Sequence, residues 1–541
     1  MPEPDVAQRV SAKAWAILAA MGFGALIAQM FSTVIGPALP VIKDDLDMSL
    51  AGQTWTITAY SLAFGAALVA GGRLGDILGE VRLIVAGFVV FGVGLVMSAV
   101  ALSGLLMVAG RAVQGVGIGI SAPATLSIVV NSFPSVRRGF AVGVWGFAHG
   151  FGLLIGPLFA GYMLDLLSWR WVFWIAVPLT VAVIVVTLAA TRGYTSVLAA
   201  GSYDVLGLVL GGVGITLLTF GLQNSSNGWE LPGTWGTIVL GVLLLAAFGV
   251  VETRKEFPLV DFALWRERLF SGAFFAESAV GFVYIPMLTF VGALYFIEVL
   301  GFSPVKASWV IVITTGLCMV VEPIAGRLVD RFGPGIPLTA ALAAQGVALL
   351  WMGTFTPSTT LAQMVVPLGL MGIGVGVSLP ACNTAGMSAV KPEQAGMGSG
   401  LMQMTFNVPA ALGVALVTSV VGTLTASKVV DATAGTAVGD KAAAYAQALE
   451  AGDDAGLKEI LAGLPPDAAQ ALKEAAINAQ SSTIAASMVV MGVVALAAAV
   501  MVLVVIGRRR VPSFAAAEGD VWPGETLMPT SPVEPQPSEA S

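Results

Sequence analysis

The sequence predicts an all-α membrane protein of fourteen transmembrane helices, arranged as two six-helix bundles with two extra helices between them. Of its 541 residues, 57% are hydrophobic and 11% charged, where a water-soluble chain carries about 25% charge. Mean hydropathy is +0.90. The apolar residues gather into fourteen runs long enough to cross a hydrocarbon core of about 30 Å at about 1.5 Å per residue. An eight-residue segment also recurs, as GRLGDILG at 72–79 and GRLVDRFG at 326–333, with five identities. Each copy follows the second run of a six-run set.

The runs span 14–38, 54–72, 83–103, 105–130, 140–163, 171–190, 204–222, 235–251, 271–297, 304–326, 336–354, 361–386, 397–424 and 482–507. The first is too long and too glycine-rich, with no small-residue cleavage site, to be a removable leader. Continuous apolar runs without period-two alternation exclude a closed β-barrel. The repeat divides the chain into an N-terminal half (1–200), two inserted helices (201–255) and a C-terminal half (256–510). Residues 425–481 interrupt the second half with eight acidic and four basic residues. They read as an extramembrane insert, with Pro465-Pro466-Asp467 starting a short helix. Residues 511–541 hold six prolines, five acids and no base, so they are expected to be disordered.

Lys and Arg fix the orientation. Seventeen fall on the side that holds both termini and three in the opposite short loops, with four more in the long insert. The excess places both termini in the cytoplasm and the insert outside, in a plasma or inner membrane. The remaining one, Arg111, lies inside the fourth span. With Cys318 and Cys382 in apolar runs and a single histidine, no disulfide framework or metal cluster is expected. The net charge of −7 excludes nucleic acid as a partner. No Ser/His/Asp grouping or pair of intramembrane aspartates suggests an enzyme, and no cofactor is expected.

The repeat carries Gly72, Leu74, Gly75, Asp76, Gly79 and Arg82 in its first copy. The second copy carries Gly326, Arg327, Asp330 and Arg331. Each aspartate is placed to cap a neighbouring helix end or to pair with an arginine, closing a gate on the cytoplasmic side. In the fourth span, Arg111 to Gly117 read R-x-x-Q-G-x-G. A guanidinium there must face the bundle interior and meet carbonyls, an acid or a substrate anion, unless its role is purely structural. In the fifth span, Gly143, Gly152, Gly156, Pro157 and Gly161 form a small-residue strip that admits a second helix closely, and Pro157 frees a carbonyl. Together with Trp55, Tyr60 and Leu62 in the second span and Trp169-Arg170-Trp171, these motifs make the sequence resemble the major facilitator superfamily, in its fourteen-helix drug:proton antiporter branch, over nearly the whole chain. Against that family's loop signature, Ile77 and Glu80 replace usual bases in the first copy of the repeat, and the second copy is the fuller match.

The resemblance implies a proton-driven exporter of hydrophobic or amphipathic small molecules, such as drugs or antibiotics. Its expected partners are substrate, protons and membrane lipids, and it is expected to act as a monomer by alternating access. An exporter of a lipid or lipid-linked metabolite, or a non-transporting sensor or scaffold, are the alternatives. One departure stands out: the branch commonly carries an acid in the first span, and here that place is Phe31. The remaining candidates for proton coupling are Glu277, Glu322 and His149, besides Arg111. By helical rise, Glu277 is about 9 Å and His149 about 14 Å inside its span. Glu322 is about 7 Å from Arg327, close enough for an ion pair. His149 is expected to be a neutral, hydrogen-bonded interior imidazole. Gln114, Gln403 and Asn407 are amides in apolar surroundings and so candidates for the substrate cavity.

Overall fold

The computed structural model describes residues 10–507 except 49, 197, 199–203, 225–231, 256–257, 259, 435–437 and 452–453. The expected tail 511–541 lies outside the described residues. The regular structure of the described residues is entirely helical. The first half holds α1 (Ala12–Thr33), α2 (Ile35–Asp45), α3 (Leu50–Leu78), α4 (Glu80–Ala99), α5 (Gly104–Ser132), α6 (Arg138–Leu166) and α7 (Trp169–Ala190). Then come α8 (Val205–Asn224) and α9 (Pro232–Glu252). The second half follows as α10 (Arg268–Thr289), α11 (Pro304–Phe332), α12 (Gly335–Met352), α13 (Leu361–Ser388) and α14 (Ala395–Thr433), with α15 (Gly439–Ala451), α16 (Asp454–Ala462) and α17 (Pro466–Val505).

Each of the fourteen runs falls on a helix, and local chemistry explains several boundaries. The hydroxyls of Ser11, Ser103 and Ser303 accept N–H groups in the first turns of α1, α5 and α11, supplying acceptors to donors that a helix start leaves unpaired. The last glycine of each repeat copy takes the left-handed conformation, φ 92° at Gly79 and 77° at Gly333, where a Cβ is strained. Both glycines stop a helix and turn the chain into the next one. Among the described residues, eleven helices are long and apolar enough to cross a membrane, or twelve if the bent pair Trp55–Leu68 and Ala70–Leu78 is one span. The two other predicted spans fall on α8, whose apolar stretch Leu206–Leu222 is shorter, and on α14.

Three expectations on local structure are corrected. The first span is offset at Val34 between α1 and α2, ahead of Pro37 and Pro40, which cannot donate to the preceding turn. The ninth ends in a π-helical stretch, Phe290–Val299, beyond Pro286. The helix opened by Pro465-Pro466 is not short: it runs 40 residues as α17 into the last span, because its Ala/Leu pattern meets the apolar run with no breaker between. The insert is thereby built on the extended ends of α14 and α17. Val429, Tyr445 and Leu472 centre a small core of its own, shared with α15.

Two larger cores organise the bundle. One is built from residues of α1 to α7, joined by Met387 and Ala395, and the other from α10 to α14 and α17. On the first, Asp45 at the end of α2 accepts hydrogen bonds from Arg170 Nη1 (2.7 Å) and Trp169 Nε1 (3.1 Å). The Arg170 bond, aided by the indole N–H, holds this carboxyl below the usual carboxylate range. That ties α2 to the start of α7. A Lys255–Asp204 ion pair joins the segments flanking the inserted α8 and α9.

Candidate functional site

The two repeat copies meet the opposite halves in the same way. Asp76, at the end of α3, accepts the N–H groups of Gly396 (2.7 Å) and Met397 (2.9 Å). Those are unpaired donors in the first turn of α14. Asp330, at the end of α11, accepts the N–H groups of Gly139 (2.8 Å) and Phe140 (2.9 Å) in the first turn of α6. Each aspartate thus caps a helix of the other half and faces the positive end of its dipole. Glycines make this approach possible. Gly72 and Gly396 face each other's carbonyl oxygens, as do Gly326 and Gly139, and a Cβ at any of the four would collide with backbone. Although the second copy is the fuller match in sequence, both aspartates make the same pair of bonds, and Asp76 is the more deeply buried. Arg73 of the first copy is buried, but the other bases are peripheral. Arg327 lies over the Phe140 ring at 4.6 Å and Arg331 over Phe332 at 5.2 Å, while Arg82 is exposed. Glu80 is buried on the hydroxyl of Ser127 and the amide of Asn131.

The glycine strip of α6 serves two partners. Gly143 abuts the backbone of Glu322 on α11, whereas Gly152 and Gly156 abut α1 at Leu26 and Met30. A Cβ at Gly161 would meet open space among the described residues. Pro157 lacks the N–H that would bond to Leu153, and the freed Leu153 carbonyl accepts the Thr33 hydroxyl of α1 at 3.4 Å. The predicted close approach therefore holds for the middle of the strip and changes helix at its start.

Arg111 is fully buried. Its Nε donates to the Thr56 carbonyl (3.3 Å), and Nη1 to the Phe31 carbonyl (3.4 Å) and Gln114 Oε1 (2.8 Å). The Tyr60 ring lies 4.3 Å from the guanidinium carbon. Gln114 in turn donates to the Gly94 carbonyl and the Ser98 hydroxyl, so both ends of its amide are engaged by protein. Phe31 supplies a carbonyl, while its ring packs against Phe91 and Phe159. Tyr60 belongs to the second-span residues that resemble the branch, whereas Thr56 and Ser98 carry no distinguishing sequence pattern and only the folded neighbourhood of Arg111 points to them.

The acids lie apart from Arg111. Glu277 of α10 is buried, with Oε1 accepting from Asn383 of α13 at 3.1 Å and Oε2 without a partner among the described residues. Glu322 of α11 is also buried. Its Oε1 faces Cys318 Sγ at 3.6 Å, and its Oε2, likewise without a hydrogen-bond partner, lies against Gly146 of α6. The expected pairing with Arg327 does not form: residues five apart project to different sides of a helix, whereas three or four apart they meet. His149 keeps open surface within the span of α6, and its ring stacks on Trp145 with centroids 5.7 Å apart. Gln403 of α14 donates to Ser399 at 3.3 Å, and the exposed Asn407 to the Gln403 carbonyl at 2.7 Å.

The family model for the Major Facilitator Superfamily matches residues 21–414. The chain is 30% identical over 420 residues to the tetracenomycin C resistance and export protein of Streptomyces glaucescens, covering 77% of each. It is 27% identical over 503 residues to the multidrug efflux pump LfrA of Mycolicibacterium smegmatis, covering 91% of this chain and 96% of that one. A double-tryptophan mutant of XylE shares the fold at 13% identity, with a TM-score of 0.61 over 93% of this chain and 98% of that one. With its bundle of apolar helices and two reciprocally capped halves, the chain belongs to the Major Facilitator Superfamily and is a multi-pass membrane transporter, not an enzyme.

Proposed function

We propose that this transporter is a secondary active exporter of hydrophobic or amphipathic small molecules, driven by the proton gradient through alternating access. The observation that carries the reading is the reciprocal latch at Asp76 and Asp330. It joins the halves through two matched contacts, which can part without opening either core. Relatives named for resistance, export and efflux support the direction of transport. The working units are residues 1–200, 201–255 and 256–510, acting as a monomer, with both termini cytoplasmic. The latch then closes the cytoplasmic side. An impermeant thiol reagent outside intact cells is expected to label a cysteine at Gln470, exposed in the insert, and to spare one at the exposed Arg82; the reverse pattern overturns this orientation.

Protons are assigned to the buried carboxyls. Glu277 lies within the second core, away from the crossing between halves, and is the coupling site. Glu322 faces Gly146 across that crossing and responds to closure. In proteoliposomes with an imposed pH gradient, tested against cationic, neutral and lipidic compounds, the wild type is expected to accumulate an amphipathic substrate. Glu277→Gln is expected to exchange substrate down its own gradient but to lose proton-driven accumulation. Glu322→Gln is expected to change turnover at every pH while retaining the pH dependence. An unchanged pH profile in Glu277→Gln reassigns coupling, and accumulation of lipidic compounds alone favours lipid export.

A further inference from the structure

The neighbourhood of Arg111 holds a cation without an anion. Every polar partner of the guanidinium is neutral: two backbone carbonyls, from α1 and α3, and the Gln114 amide. The Tyr60 ring covers it. Gln114 cannot turn to give more, since Gly94 and Ser98 hold its other end. Nη2 is buried with no hydrogen-bond partner among the described residues. No carboxylate forms an ion pair with Arg111 among those residues, and the buried acids Glu277 and Glu322 belong to α10 and α11 of the other half. A guanidinium keeps its proton even when desolvated. In a low-dielectric interior its field falls off only with the inverse of distance, so it acts on a passing charge without touching it.

Resting on the exporter reading above, we propose that Arg111 is a charge filter, and that the transport path favours aromatic or amphipathic anions, such as carboxylates, sulfonates or phenolates, over lipophilic cations of the same shape. Two neutral carbonyls and an amide suffice to keep the arginine folded in, but they leave its unit charge uncancelled. A cation in the same path is repelled by that charge, which no carboxylate among the described residues pairs with.

Tetraphenylborate and tetraphenylphosphonium test this directly, being nearly the same shape with opposite charge. Equilibrium binding of each is measured on the full-length protein in lipid nanodiscs, with empty nanodiscs subtracted. The wild type is expected to bind the borate at least about ten-fold more tightly than the phosphonium. Arg111→Lys keeps the charge and is expected to keep the preference. Arg111→Gln removes it, and Gln114→Glu cancels it in place by setting a carboxylate 2.8 Å from Nη1. Each is expected to bring the ratio within about two-fold, and either one alone decides the matter if the other does not fold. The proposal is overturned if the wild type binds the two probes equally, prefers the phosphonium or binds neither, or if the preference survives in a folded Arg111→Gln or Gln114→Glu protein. Loss of proton-driven flux in the wild type would instead sink the exporter reading and leave this ratio untouched.

Discussion

Replacing both latch aspartates, as Asp76→Asn with Asp330→Asn, is expected to lower export by at least about ten-fold with the protein still in the membrane. Each carboxylate accepts two N–H groups at a helix start of the opposite half. Asparagine keeps one acceptor, turns a donor toward the other N–H and removes the charge that faces the helix dipole. A charged cap of this kind contributes about 1–2 kcal/mol, of which asparagine keeps the share of its one acceptor, so the two substitutions together remove about 2 kcal/mol from the latched state. At about 1.4 kcal/mol per factor of ten, the latched population falls by somewhat more than one order of magnitude. A cycle that must pass through it slows accordingly. The two sites share no partner, so the single variants should each show part of the effect and add. Asp76→Asn should cost at least as much as Asp330→Asn because it is the more buried. Initial export rates normalised to membrane protein measure this, and wild-type rates in the double variant would mean that the latch is not on the transport cycle.

Arg111→Ala is expected to abolish gradient-driven export without preventing insertion. The side chain bridges α1, α3 and α5, so its loss leaves the Gln114 amide oxygen without its donor and takes an added donor from the Phe31 and Thr56 carbonyls. Each such loss costs about 1–3 kcal/mol when buried, enough to lower the melting temperature but not to unravel a bundle with two extensive cores. Lysine restores the charge as a point and lacks the planar fork that spans three acceptors, so partial recovery is expected. Export and thermal unfolding measured on the same preparations separate the two roles. Export at the wild-type rate with a lowered melting temperature would make Arg111 purely structural.

Much of this fold was legible in the sequence because the membrane imposes a length on every apolar run. All fourteen runs coincide with helices, and the repeat marks two equivalent places in the bundle. What periodicity cannot supply is partnership. The aspartates read as caps, yet nothing local says that Asp76 serves a helix start 320 residues away, at Gly396. Glu322 illustrates the limit of helical rise used alone: it measures distance along the axis and ignores the angle around it, which turned the side chain away from Arg327 and toward Gly146. His149 and the three amides were singled out by chemical type. The structure separates them by environment, with Gln114 enclosed and Asn407 exposed. The offset at Val34 and the π-helical stretch after Pro286 arise from where backbone donors go missing, and an apolar run looks the same on both sides of them.

The account turns on the halves parting where Asp76 and Asp330 hold them. The distribution of distances between spin labels at Leu78 and Glu393, both exposed beside the Asp76 cap, tests this most directly in reconstituted protein. A short distance is expected from the latched state, with a second, longer one whose share changes with pH and substrate and grows in Asp76→Asn. A single distance, the same at every pH, with and without substrate and in the variant, would contradict it.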